Sequence, residues 1–424
     1  MYKDVNNVPK YLTEGAYGCV HRPSLKCDRK MDYSEKLSKV LRNKEHKIEL
    51  DDYALIEQVD SSHKFHLGKP LSCKLADIKE NKDVLQKCRN FGNEAVKNPN
   101  NFSLLIMNDG GLNLIEFGDK LGILVSSQKN IEIAEKFWLE SHRLFLGIRE
   151  FQRNGIVHLD LKGQNIVYDQ SKNRVNFIDF GFTTVIKKSK KECESNQFNL
   201  TNHWSSPFEC SLLDRNQFKK VKSMNVEERR VYLFKFLRNS DWYYDYRDGL
   251  SPKVASERFR NYAEFIIYNI NELSYKEFLD NYFKTVDLYG LGLGLLYALD
   301  KSKHLLPSGF VNDIYALLQR MIHTNQTRRL HIDELLKDYE TILSVLAKKV
   351  GYYYANNKLV MQSHVYKKMI SNINNAISKK QHINKDKLHM LNSTRKKFRI
   401  SRLCPTRKYY NLKTSRCNNH RGKK

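Results

Sequence analysis

The sequence predicts an α+β fold in which short strands cluster early and long helices follow. Strand-like runs of apolar and β-branched residues occur at 35–41, 63–78 and 102–107. Apolar residues at helical spacing run through 131–153 (Ile133, Phe137, Leu144, Ile148, Phe151), and further helical runs are expected at 226–238 and 258–282. The 424 residues, 41% of them hydrophobic, are enough for two domains or for one two-lobed enzyme with extensions.

The functional signal lies between two short strands. His158-Leu159-Asp160-Leu161-Lys162-Gly163-Gln164-Asn165 leads into Ile166-Val167-Tyr168. A turn at Lys172-Asn173 follows, and then Val175, Phe177 and Ile178 lead into Asp179-Phe180-Gly181. Two adjacent strand ends bring Asp160, Lys162, Asn165 and Asp179 close together. A carboxylate that takes a hydroxyl proton, a lysine for phosphate, and an Asn/Asp pair for Mg2+ are the parts of a phosphoryl-transfer site. The order and spacing of both blocks resemble the eukaryotic protein kinase family. That resemblance implies a bilobal protein kinase fold, with a small β-rich N-lobe, a larger helical C-lobe and here a basic C-terminal tail. The kinase domain is expected over residues 10–345: N-lobe to about 107, hinge about 108–111, then a C-lobe with an insertion at 210–286. The tail is 346–424.

Taken in order, Leu12-Thr13-Glu14-Gly15-Ala16-Tyr17-Gly18-Cys19-Val20 resembles the glycine-rich hairpin of kinases, with Thr13 in place of the first glycine. Gly15 and Gly18 let backbone N–H groups approach phosphate oxygens, and Leu12 and Val20 would close over adenine. In the strand at 35–41, Lys39 stands where the family's phosphate-holding lysine stands; Lys36 is the competitor, but Leu37, Val40 and Leu41 frame Lys39 better. The following stretch, 44–59, is a helix with a mixed face. Its Glu49 is the expected partner of Lys39, with Glu45 and Asp52 a turn away as alternatives. Residues 79–101 read as an insertion or loop, and Asn108-Asp109-Gly110-Gly111 resembles the hinge. The helix at 131–153 ends at Asn154-Gly155.

Leu159 departs from the family, which usually has arginine before the catalytic aspartate. The leucine cannot order the activation segment by pairing with a phosphate. Ser206-Pro207-Phe208-Glu209 resembles the segment's closing signal, with Arg329 as the expected partner of Glu209. Asp287 is expected to anchor the catalytic loop. The long segment between Glu209 and Asp287 reads as extra helical packing, with substrate selection as the alternative.

Net charge is +26, concentrated in the tail, where Lys348 onward holds 21 Lys/Arg and one acid, Asp386. This points to an acidic partner, nucleic acid or another polyanion, bound by 348–424. Within the tail, 362–392 has helical character. The stretch Cys404-Pro405 to Asn411-Leu412-Lys413-Thr414-Ser415-Arg416-Cys417 resembles a short element at the ends of proteins of large cytoplasmic DNA viruses, and the kinase motifs resemble those viruses' divergent kinases. The eight scattered cysteines form no Cys-x-x-Cys pair and no signal peptide opens the chain, so reduced thiols in an intracellular setting, host cytoplasm or virion, are expected. The apolar run Leu288–Leu299 is too short to span a bilayer.

The resemblance implies a serine/threonine protein kinase using ATP with Mg2+ (Mn2+ as the alternative ion) and protein substrates. Asp160 and Lys162 would be catalytic. Leu12, Gly15, Gly18, Val20, Lys39 and Glu49 would serve ATP, and Asn165 and Asp179 the metal. The competing readings are a catalytically weak kinase-shaped scaffold acting through its tail, and a kinase fold acting on a small-molecule hydroxyl.

Overall fold

The computed structural model describes residues 8–14, 18–198, 205–239, 252–357, 371, 408–411 and 416–419. Gly15, and the helical expectation for 362–392 apart from Ser371, lie outside the described residues. The chain divides into two units, residues 1–372 and 373–424.

The first unit opens with an antiparallel sheet. Strands β1 (Lys10–Glu14), β2 (Gly18–Arg22), β3 (Lys36–Arg42), β4 (Leu71–Lys74) and β5 (Phe102–Asn108) are arranged in the order β1-β2-β3-β5-β4. Helix α1 (Asn43–Val59) follows β3 directly and packs on β3 and β5. The remainder of the expected 63–78 strand run is irregular. Cys19, Val40, Phe102, Leu104 and Ile106 form a core with Val84, Leu85, Phe91 and Ala95. Those last four belong to or flank α2 (Lys79–Leu85) and α3 (Gly92–Lys97), so residues 79–101 are a helical cover on the sheet and not a loop. Their apolar residues are few and scattered among Lys, Asn and Glu, which hid the pattern.

Two disulfides cross this core, Cys19–Cys88 and Cys27–Cys73. This corrects the expectation of reduced thiols for four of the eight cysteines. The partners are 69 and 46 residues apart in sequence, and only the packing of the 79–101 cover and β4 brings their Cα atoms to 6.1 and 5.9 Å.

The helical lobe begins with β6 (Leu112–Asn113) and α4 (Leu114–Gly122), whose start carries a capping box of Asn113 and Glu116. The expected single helix over 131–153 is two: α5 (Gln128–Glu140) and α6 (His142–Arg153), broken at Ser141, whose hydroxyl donates to the Phe137 carbonyl at 2.8 Å. Strand β7 (Ile156–Val157) leads into the catalytic loop. Strands β8 (Ile166–Asp169) and β9 (Arg174–Phe177) then form the expected hairpin, with Asn173 in the left-handed region at φ 47°. Strand β10 (Thr184–Val185) returns to pair with β7, and α7 (Ile186–Glu194) follows it.

Beyond Glu209 come α8 (Arg215–Ser223), α9 (Val226–Asn239) and α10 (Pro252–Ile267). The expected helix at 258–282 is interrupted. Helix α10 ends at Ile267, and Ser274 caps a new helix, α11 (Tyr275–Ser302), by accepting from the Glu277 N–H. Buried Arg229 holds the insertion together by donating to the carbonyls of Val221, Lys222 and Ile267 and to Asn271 Oδ1. Tyr262 packs edge-on against Phe208, and Arg258 lies over the same ring. Most of α11 is buried, including Asp287 through Leu299. Helices α12 (Ser308–Met321) and α13 (Ile332–Asn357) complete the lobe, α13 running past the expected end at 345. The second unit contains one described strand pair, β11 (Lys408–Asn411) and β12 (Arg416–Asn419), which overlaps the Cys404–Cys417 element and runs two residues past it. Among the described residues no helix is long and apolar enough to cross a membrane.

Candidate active site

The cleft between the lobes is built from strand ends and one helix. On β3, Lys39 alternates with the buried Ser38 and Val40 and points toward α1, where its ammonium lies 2.7 Å from Glu49 Oε2. Both side chains are largely buried, so the bond is poorly screened. Of the three acids that the sequence left open, Glu49 makes the bond. Burial works to lower the Lys39 ammonium, but Glu49, Asp179 and Asp52 outweigh it and hold its pKa above that of an ordinary lysine. Gly18 lies directly against this side chain: a Cβ there would sit 2.9 Å from Lys39 Cε. Leu12 and Val20 lie on the two strands of the hairpin, β1 and β2.

The hairpin is held from the side. The Glu14 carboxylate, at the end of β1, accepts the backbone N–H groups of Arg89 and Asn90 at 2.8 and 2.9 Å. These residues follow Cys88, which is bonded to Cys19 one residue after Gly18. Nothing in the sequence signalled this clamp.

The catalytic loop rests on α11. Asp287 accepts the backbone N–H groups of His158 and Leu159 at 2.8 and 2.9 Å. Leu159 is buried with φ at 65°, a region that a branched side chain rarely occupies. The two bonds to Asp287 hold it there. Gly290 allows α11 this close, since a Cβ would meet the Leu161 carbonyl oxygen at 1.9 Å. Within the loop, the Lys162 ammonium is 3.0 Å from both Asp160 oxygens. Asn165 Nδ2 donates at 2.8 Å to the Asp160 carbonyl and to its Oδ2. Asp160 is thus oriented from two sides, and the Asn165 side-chain oxygen is left as an acceptor.

The Ile178 N–H donates to the Asn165 carbonyl at 3.0 Å, which joins the Asp179 turn to the loop. Asp179 itself has φ 62°. Phe180 is buried between Tyr53 of α1, His66 and His158, with ring centroids at 5.3, 5.9 and 5.1 Å. Asp52, one turn beyond Glu49, faces the same turn. Burial, then Glu49, Asp51 and Asp179, push its carboxyl up to about 7. Such crowding of carboxylates fits a divalent cation, for which Asn165 and Asp179 offer the oxygen donors.

The closing signal of the activation segment is anchored in the core. Arg329 Nη2 donates to Glu209 Oε1 at 2.6 Å, with both side chains fully buried.

The sequence pattern of the protein kinase domain matches residues 115–224. With the β-rich and helical lobes described above, this match gives the chain the fold of a protein kinase domain. A serine/threonine-protein kinase prpf4B of Dictyostelium discoideum is 27% identical over 154 residues, 34% of this chain and 18% of that relative. The domain match spans the catalytic loop, the Asp179 turn and Glu209. Lys39, Glu49 and the hairpin lie outside it, and only the geometry joins them to the kinase domain.

Proposed function

We propose that the chain is a serine/threonine protein kinase that transfers the γ-phosphoryl group of ATP to protein hydroxyls. The observation that carries this reading is the convergence of both halves of the cleft. Lys39 is paired with Glu49 on one side, and Asp160 is fixed by Lys162 and Asn165 on the other.

In this reading Lys39 and the N–H groups of the glycine hairpin hold the nucleotide phosphates, with Leu12 and Val20 closing over adenine. Asp160 accepts the proton of the acceptor hydroxyl as its oxygen bonds to the γ-phosphorus and the bond to ADP breaks. Lys162 steadies the transferred phosphate, and its place two residues after Asp160 favours a serine or threonine acceptor. Mg2+, held by Asn165 and Asp179, would neutralise the phosphate charge. The residues act by positioning and charge compensation, which set the rate in this class of reaction.

The finer parts of the proposal stand on sequence. The resemblance of the Cys404–Cys417 element supports kinship with the divergent kinases of large DNA viruses, and such kinship goes with an intracellular setting. The basic tail, 348–424, binds a polyanion such as nucleic acid, and its removal should abolish that binding and its salt dependence.

The test is label transfer from Mg-ATP to a basic protein and to casein, comparing wild type with Asp160→Asn and Asp179→Ala. Transfer by wild type alone supports the proposal, and phosphoamino-acid analysis identifies the acceptor. A wild-type rate from Asp160→Asn would refute the mechanism. ATP binding without transfer to any protein would favour the small-molecule alternative, and no ATP binding would favour the scaffold.

A further inference from the structure

A cavity of about 750 Å3 lies apart from Lys39 and Asp160, where α6, α7, α11 and the start of α13 meet. Six cations line it: Arg149 and Arg153 from α6, Lys187, Lys190 and Lys191 from α7, and Lys284 from α11. Against them stand two acids, Glu194 and Asp333. Lys190 is paired with Asp280, and Arg153 reaches Asp333 at 3.8 Å. Among the described residues, Arg149, Lys187, Lys191 and Lys284 have no acidic partner within ion-pair distance. Four cations held around one concavity repel one another and raise the local potential, an arrangement that an anion relieves. Ile186, Phe283 and Ile332 form an apolar part of the lining.

We propose that this cavity is a binding site for a phosphorylated peptide, with the phosphate among the lysines of α7, Arg149 and Lys284, and an adjacent apolar side chain on Ile186, Phe283 and Ile332. A phosphoryl group brings a charge of about −2 and three acceptor oxygens, which suits several converging cations. A nucleic-acid strand suits the site less well. Its charges repeat along a line and would run over Glu194 and Asp333, and it has no use for the apolar lining.

The position of the site gives binding a consequence. Helix α7 belongs to the activation segment, and the Ile186 N–H donates to the Gly155 carbonyl at 2.8 Å, three residues before His158. A ligand that grips α7 together with α6 and α11 ties the activation segment to the body of the lobe. Leu159 leaves the catalytic loop without a cation for that task.

The test is fluorescence anisotropy on the full chain without ATP, so that its failure is separate from any failure of phosphoryl transfer. The probe is a short labelled peptide with one phosphoserine beside leucine, run against its unphosphorylated form and a single-stranded oligonucleotide. Lys187→Glu with Lys191→Glu reverses two exposed charges that form no ion pair among the described residues. Lys219→Glu with Lys220→Glu on α8 makes the same change of net charge elsewhere. The tail is present in every variant, so its contribution is common to all. The site predicts that phosphorylation tightens wild-type binding, that the α7 pair weakens the phosphopeptide about tenfold, and that the α8 pair does not. Lys284→Gln, on the opposite wall, should weaken it too, which excludes a local fault in α7 as the cause. Unchanged phosphopeptide affinity in the α7 pair, an equal loss in the α8 pair, or loss of the oligonucleotide alone would overturn the proposal.

Discussion

Arg329 and Glu209 form an ion pair with no solvent access, 2.6 Å from Nη2 to Oε1, between the last helical region of the large lobe and the end of the activation segment. Arg329 also donates to Thr285 Oγ1 at 3.0 Å and to the His323 carbonyl at 2.8 Å, and lies over the Tyr289 ring. Burial raises the Glu209 carboxyl and Arg329 opposes that rise. The arginine is therefore the group that allows a carboxylate in this place.

Arg329→Met should destabilise the domain by about 3–5 kcal/mol, because it strands a buried charge. Adding Glu209→Gln should recover part of the loss, so that the two changes are not additive. Urea denaturation of the two single variants and the double variant measures this. Additive losses would show that the pair is not a unit.

Asp287 holds the catalytic loop through two backbone N–H groups, one of them that of left-handed Leu159. Asp287→Ala releases both and lets Asp160 move. A displacement near 1 Å at a reacting group lowers a rate by about a hundredfold. We expect kcat to fall by that order while KM for ATP changes little, since Lys39 and Gly18 are untouched. Asp287→Asn, which can still accept one bond, should fall between. Steady-state kinetics would decide, and an unchanged kcat for the alanine variant would contradict this account of the loop.

These two anchors show what was legible in sequence. Asp160, Lys162, Asn165 and Asp179 sit in two contiguous blocks, and the chemistry of phosphoryl transfer needs those residue types at that spacing. Glu209, Asp287 and Arg329 are legible only through the resemblance, because their partners are far away in the chain. Glu49 could not be separated from Glu45 and Asp52 by sequence, since helical spacing puts several acids near one face. The break at Ser141 was hidden because apolar periodicity runs through it and the change is one hydroxyl–carbonyl bond. The end of α10 at Ile267 was missed although Ser274 and Glu277 form a readable capping box. The helical cover at 79–101 was masked by its polar composition, and with it the clamp on the hairpin.

That clamp is testable through its covalent half. Cys19–Cys88 closes a loop with a sequence separation of 69 residues. On chain-entropy grounds its loss should cost about 4 kcal/mol. A reductant should lower the melting temperature of the wild type and weaken ATP binding, because Arg89 and Asn90 then hold Glu14 less firmly. The double variant Cys19→Ser with Cys88→Ser should melt lower from the outset. In that variant, reductant should have a smaller effect on ATP binding. Titration of all eight cysteines as free thiols in the denatured, unreduced protein would refute the pairing.

The carboxylate cluster predicts a pH dependence. Asp52 titrates near 7 in the folded chain, raised by burial and by Glu49, Asp51 and Asp179, against 3.8 ordinarily. Between those values the folded chain holds a proton at Asp52 that the unfolded chain has released. Protonated Asp52 therefore favours the folded state. That contribution falls as pH rises from about 4 to about 7 and is gone above this range. Asn mimics the protonated side chain, so Asp52→Asn should melt higher than wild type at pH 8. The difference should close as pH falls toward 4. The melts are to be run without divalent cations, since an ion held by Asn165 and Asp179 would offset the charge of Asp179 that bears on Asp52. Identical melting of the two proteins at pH 8 would show that Asp52 is not held against the other carboxylates.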